Sequence, residues 1–126
     1  MGKNTSNIQK RAPHAQDPIV VTFVGRLDAS HAPVIQAQLD QLVSGGVRHI
    51  ILDLSHIEFL DSAGLAVCVR TLKRVQQDDG SVKLALPKSA SARRILQLTR
   101  FDRIFEIVEL NGLLLAGQRV NCDYSV

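Results

Sequence analysis

The sequence predicts an α/β domain: a mixed, mostly parallel central β-sheet with about four flanking helices. Three observations predict it. Runs of β-branched and aromatic residues alternate with segments whose apolar residues recur at helical spacing, the pattern of right-handed crossovers. One run, Val47 to Leu54, has a solid apolar centre, as a strand buried on both faces does. The length, 126 residues with 45% apolar, suits one domain that buries its core without disulfides or metals.

Each element has its own signal. Thr5 to Lys10 reads as a short edge strand inside a polar N-terminal tail, 1–17. Ile19 to Val24, bounded by Pro18 and Gly25, is a strand by composition and length. Ser30 is the expected N-cap of a helix that tolerates Pro33 in its first turn, presents Ile35, Leu39, Leu42 and Val43 on one face, and stops at Gly45-Gly46. After the strand Val47–Leu54 comes a loop, Ser55 to Asp61. Ser62 is then the expected cap of a helix with the stripe Leu65, Cys68, Val69, Leu72 and Val75. Val82 to Leu86 is a strand, and Ser89 or Ser91 caps a helix carrying Ala92, Ile95 and Leu96, with Leu98 as a further member of that apolar set. Ile104 to Val108 is a short strand, Leu110 to Ala116 a further helix, and 118–126 a frayed C-terminal tail.

Composition excludes several function classes. The net charge of +3 sits in Lys3, Lys10 and Arg11; from Asp17 onward 12 basic residues balance 12 acidic ones. A nucleic-acid-binding domain would carry its positive charge on the folded part and more aromatic residues than the 4% found here. No apolar run approaches the roughly 18 residues of a membrane-spanning helix, so direct membrane insertion is not expected. Met1 to Gln16 has no apolar stretch of the secretory type, and two cysteines make no disulfide framework. A cytoplasmic setting fits best.

Enzyme motifs fail. Gly45-Gly46 follows a helix instead of opening one, so it is no phosphate loop. His14, His31, His49 and His56 lie in four separate segments without ligand spacing, and Asp53 has no flanking carboxylate, so no metal is implied. Leu60-Asp61-Ser62-Ala63-Gly64 lacks the first glycine of a nucleophile elbow and a histidine placed as base. Cys68, on the core stripe of its helix, reads as a small hydrophobe and not a reactive thiol.

One segment stands out: Phe59-Leu60-Asp61-Ser62-Ala63-Gly64-Leu65. Much of it is a helix start, with a capping hydroxyl, a negative charge near the positive helix end, and a glycine that lets the first turn pack closely. Phe59 and Leu60, two apolar residues read as exposed, form either a hydrophobic staple or an interaction patch. Farther along the helix, Arg70 and Lys73 lie on the outer face, either simply solvated or as a docking stripe for an acidic partner.

Gly25-Arg26-Leu27-Asp28-Ala29, Ile50-Ile51-Leu52-Asp53-Leu54-Ser55 and above all Asp61-Ser62-Ala63-Gly64-Leu65 resemble the STAS domain, the fold shared by sulfate transporters and anti-sigma factor antagonists. Lys83 to Leu86, Ile95 to Thr99, Phe101 and Ile104-Phe105 follow in the expected order. The resemblance implies a STAS domain over 18–117 that acts as an anti-sigma factor antagonist, without catalysis or cofactor. It implies phosphorylation at Ser62, with Ala63 standing where many relatives have a second hydroxyl. The implied partners are an anti-sigma factor that is itself a serine kinase, bound while Ser62 is bare and released once it is phosphorylated, and a cognate phosphatase. Asp28 and Asp61 match the family's loop aspartates, and Asp28 is expected either to orient Ser62 or to make only a local turn. The resemblance also leaves an alternative role, as a soluble subunit of a lipid or anion transport complex.

Overall fold

The computed structural model describes residues 18–110 and 118–122. Their elements run β1 (Ile19–Leu27), α1 (Ala32–Ser44), β2 (His49–Leu60), α2 (Ser62–Gln76), β3 (Ser81–Ala85), α3 (Ala90–Leu98), a 3-10 turn (Phe101–Arg103), β4 (Glu106–Ile107) and β5 (Gln118–Asn121). The strands form one sheet in the order β4-β3-β2-β1-β5. Every pairing among them is parallel. The α/β class is as the sequence predicts; the sheet, expected to be mixed and mostly parallel, is wholly parallel among the described residues, which include three α-helices. The edge strand expected at Thr5–Lys10 and the helix expected at Leu110–Ala116 lie outside the described residues, apart from Leu110.

The core forms where the apolar spacing foretells it. Ile35, Leu39 and Val43 of α1 and Leu65, Cys68, Leu72 and Val75 of α2 are buried in one cluster with Val21, Phe23, Leu52 and Leu54 of the sheet. Val67 and Thr71 widen the buried face of α2, and Thr71 hides its hydroxyl by donating to the Val67 carbonyl at 2.9 Å. On the second sheet face, Asp53 is 1% exposed. Its carboxylate accepts from Thr22 Oγ1 at 3.3 Å and from the amide and hydroxyl of Ser55 at 3.0 and 2.6 Å, so its lone pairs are spent inside the protein.

Three expectations are corrected. β1 does not stop at Gly25: that glycine sits at φ +92° inside the strand, where the register with β2 shifts, and the strand continues to Leu27. The segment Ser55–Leu60, expected as a loop, continues β2 and pairs with β1, Arg26 facing Phe59 and Leu27 facing Leu60. Residues 118–121, expected in a C-terminal tail, form β5 and pair with Ile19–Thr22. α1 also starts differently. Its N-cap is His31, without a side-chain cap, and Ser30 gives its hydroxyl to Asp28.

Cys68 is 2% exposed, and burial pushes its thiol up to about 12. Thiolate is the reactive form. Alkylation of native protein at pH 8 should therefore modify Cys68 only at the rate of domain opening, and addition of urea should accelerate it. Peptide mass spectrometry reads the outcome; rapid native labelling at Cys68 would contradict its burial.

Candidate functional site

The turn between β2 and α2 is built from Asp61. Because β2 runs on to Leu60, the chain must enter the helix within one residue, and Asp61 takes the extended backbone of an N-cap (φ −127°, ψ −174°). Its Oδ1 accepts from the Gly64 amide at 3.0 Å, and its Oδ2 accepts from the Ala29 amide at 3.2 Å. One carboxylate thus caps α2 and ties the β1–α1 loop to it. Ser62, expected as the cap, is instead the first helical residue. It is exposed, and its hydroxyl makes no hydrogen bond among the described residues.

Gly64 is where α2 touches the sheet. A Cβ there would overlap the Leu27 carbonyl oxygen and stand 2.9 Å from Leu27 Cγ. Only glycine lets the first turn lie this close to the end of β1. Leu60 and Leu65, the residues just before the cap and four after it, are both buried in the core. Those are the positions of a hydrophobic staple. The exposed reading of Leu60 is therefore corrected: at 3% exposure it anchors the turn from below, while Phe59, 37% exposed, stays at the surface. Of the residues predicted for the partner surface, Phe59, Ser62, Arg70 and Lys73 are exposed, Ala63 and Asp61 half-buried, and Leu60, Gly64 and Leu65 buried.

Asp28 sits on the adjoining loop. Its Oδ2 accepts from Arg26 Nε at 3.0 Å. Its Oδ1 accepts from the Ser30 hydroxyl at 2.8 Å and the His31 amide at 3.2 Å, and lies 2.7 Å from His31 Nδ1. Burial by itself raises this carboxyl, but the hydrogen bonds from Ser30, Arg26 and His31, with the charge of His31, outweigh it and hold the group well below the usual carboxylate range. Asp28 is thus the organiser of its own turn. Its link to Ser62 runs through the Asp61–Ala29 bond, with no direct contact among those described. Arg26, which the sequence reading did not single out, also lies over the Phe59 ring with 4.1 Å from Cζ to the ring centroid. The signal for it was the two-residue spacing to Asp28; the stacking depends on the β1–β2 register, which that spacing does not reveal.

The outer helix face is less open than expected. Arg70 donates to Gln36 Oε1 at 3.1 Å, and Arg74 pairs with Asp40 at 3.1 Å and donates to Ser44 at 2.9 Å, so both arginines bridge α2 to α1. Between the helices lies a shallow groove of about 390 Å³ lined by Ala29, Pro33, Gln36, Asp40 and Arg70. It begins at the residue that Asp61 holds. Lys73 is exposed on the same helix.

The family model of the STAS domain matches residues 9–111, and the chain belongs to that family. It is 31% identical over 108 residues to the anti-sigma-B factor antagonist of Bacillus subtilis, covering 86% of this chain and 89% of the relative. The crystal structure of a putative anti-sigma factor antagonist from Thermotoga maritima superposes with a TM-score of 0.64 at 26% identity, over 76% of this chain and 84% of that one. The phosphorylated form of the Bacillus cell fate determinant SpoIIAA shares the fold, with a TM-score of 0.58 at 21% identity over 75% of this chain and 85% of that one.

Two predictions separate the cap from the exposed serine and test the Asp28 turn. Asp61→Ala should cost roughly 0.5–2 kcal/mol through the lost cap, and Gly64→Ala about 1–3 kcal/mol through overpacking. Ser62→Ala should leave the denaturation midpoint nearly unchanged; a loss as large as that of Asp61→Ala would return the cap to Ser62. Because the Asp28 pKa is lowered on folding, its contribution is present above the ordinary value of 3.8 and is lost as pH falls below it. The gap in thermal midpoint between the parent and Asp28→Asn should therefore be widest at neutral pH and shrink below about pH 4. A gap that stays constant down to pH 2 would count against the turn.

Proposed function

We propose that this protein is an anti-sigma factor antagonist whose partner binding is switched by phosphorylation of Ser62. The observation that carries the reading is the division of labour at the start of α2: Asp61 holds the turn, which leaves the Ser62 hydroxyl exposed and structurally unemployed. A kinase reaches such a hydroxyl without unfolding anything. The relatives named as antagonists of anti-sigma factors, and the fold shared with a protein known in a phosphorylated form, support the same reading.

The switch works through charge. A phosphate adds about −1.5 to −2 charges and three strong acceptors. A helix N-terminus accommodates that charge, so the fold stays intact. A partner surface fitted to a neutral hydroxyl next to Asp61 does not accommodate it. Burying the added charge costs about 2–5 kcal/mol at an interface, and roughly 2.7 kcal/mol is already a hundredfold in affinity. The partner is an anti-sigma factor with serine-kinase activity, which binds the bare form and phosphorylates it at the expense of ATP; a phosphatase restores the serine. Phe59, Ser62, Ala63, Arg70 and Lys73 meet the partner, and Leu60, Gly64 and Leu65 hold them in place from beneath. Asp28 acts at one remove, by fixing the loop that Asp61 binds.

Phosphopeptide mapping after incubation with ATP and a candidate kinase should find the label on Ser62. Calorimetry should show Ser62→Ala binding that kinase as the parent does, and Ser62→Asp at least tenfold more weakly with an unchanged thermal midpoint. Label on Ser89 or Ser91, or equal affinity for all three proteins, would defeat the proposal.

A further inference from the structure

The end of the sheet remote from Ser62 carries a second surface. All described strands run the same way, so α3, which leaves the C-terminal end of β3, runs back beside the sheet. Its last turn and the 3-10 turn therefore lie toward the end where the strands begin. β4 aligns Ile107 with Leu84 and so with Leu52, whereas Ser62 follows Leu60; on the order of 25 Å of β2 separates the two levels.

This end is apolar and basic together. Leu98 is 67% and Ile104 53% exposed, and Ile107 is exposed on the edge strand that packs against the same 3-10 turn. Arg94, one turn before Leu98 and so on its face, is exposed, as are Arg100 and Arg103. The three arginines make no ion pair among the described residues. Asp102, between Arg100 and Arg103 in the 3-10 turn, is half-buried and makes no ion pair among the described residues, and exposed Glu106 is taken by Lys83 at 3.6 Å.

Arg100 adds an independent sign. It follows the helix cap in the left-handed region (φ 60°, ψ 24°), where glycine is the easy residue. Arg100 and Asp79, which follows α2, are the two non-glycine residues that take this conformation among the described residues, and at Arg100 it sets a charged side chain at this surface against the backbone preference.

We infer that Leu98, Ile104 and Ile107, with Arg94, Arg100 and Arg103, form a docking surface for an acidic amphipathic segment of a partner protein. Exposed apolar side chains of this size gain by being covered. Guanidinium groups grip carboxylates bidentately, which lysine cannot do, so the choice of arginine at all three positions fits a carboxylate-bearing chain. The surface is distinct from the Ser62 site and too far from it for a phosphate there to block it, so both can be occupied at once.

Isotope-labelled full-length protein, titrated with two synthetic helical peptides, tests this. One peptide carries leucine and glutamate at amphipathic spacing, the other leucine and lysine. The glutamate peptide should shift the amides of Leu98, Arg100, Arg103 and Ile104 and leave those of Ser62 and Gly64 in place. It should bind at least tenfold more tightly than the lysine peptide, and Arg100→Glu with Arg103→Glu should weaken it at least tenfold. Arg100→Gly should weaken it severalfold while the thermal midpoint holds or rises; unchanged affinity would reduce Arg100 to a helix terminator and remove the inference's second support. Equal response to both peptides, shifts elsewhere or none, binding confined to phosphatidylglycerol vesicles, or the same shifts on concentrating the protein alone would each overturn the proposal.

Discussion

The molecule turns on the contact between the first turn of α2 and the end of β1. Gly64 lies against the Leu27 backbone with no room for a side chain, and Asp61 holds both the helix and the neighbouring loop by one carboxylate. A neutral cap would supply the hydrogen bond to Gly64, but Ser or Thr has one oxygen and would leave the Ala29 amide without its partner. The aspartate serves both, and this frees the next residue. Had Ser62 been the cap, a group added to its oxygen would have had to take over the hydrogen bond to the helix amide. With the cap moved one place back, the hydroxyl is chemically available and mechanically idle, as a modifiable switch requires.

The loop carrying Asp28 shows the same economy. Its carboxylate gathers Arg26, Ser30 and His31 into one turn, and Arg26 carries the connection across to Phe59 on β2. Isolated surface ion pairs are worth little. Here a partly buried acceptor serves several donors, and the loop beside the start of α2 is thereby held in one shape; a surface fixed in advance lowers the ordering cost of any association made there.

The class of fold, the parallel strands and the core faces of α1 and α2 were legible in the sequence because burial imposes a period, and a period survives without knowledge of the neighbours. The ends of elements were not. Gly25 reads as a stop, yet a bulge lets the strand pass through it, and Ser55–Leu60 reads as polar and loose because only its pairing with β1 makes it a strand. The site was legible as a motif but misassigned in detail. Asp61 and Ser62 are both good caps, and what decides between them is that β2 runs to Leu60, a tertiary fact. Leu60 seemed exposed for the same reason: its burial depends on the turn that carries it under the helix. Arg26 stood inside the Gly25–Ala29 motif without a role of its own, since its contact with Phe59 is made across two strands.

The strand order has a consequence for how the chain is made. β1 is flanked by β2 on one side and β5 on the other, so Ile19, at the start of the described domain, lies beside Gln118, near its far end. As the chain leaves the ribosome, β2 and β3 can join β1 early, but the other side of β1 keeps its amide and carbonyl groups unpaired until almost the whole domain has emerged. Closing so long a loop is slow, and an open strand edge is where nascent chains pair wrongly with one another. β5, the last of the described strands, is short, yet it seals this edge of β1.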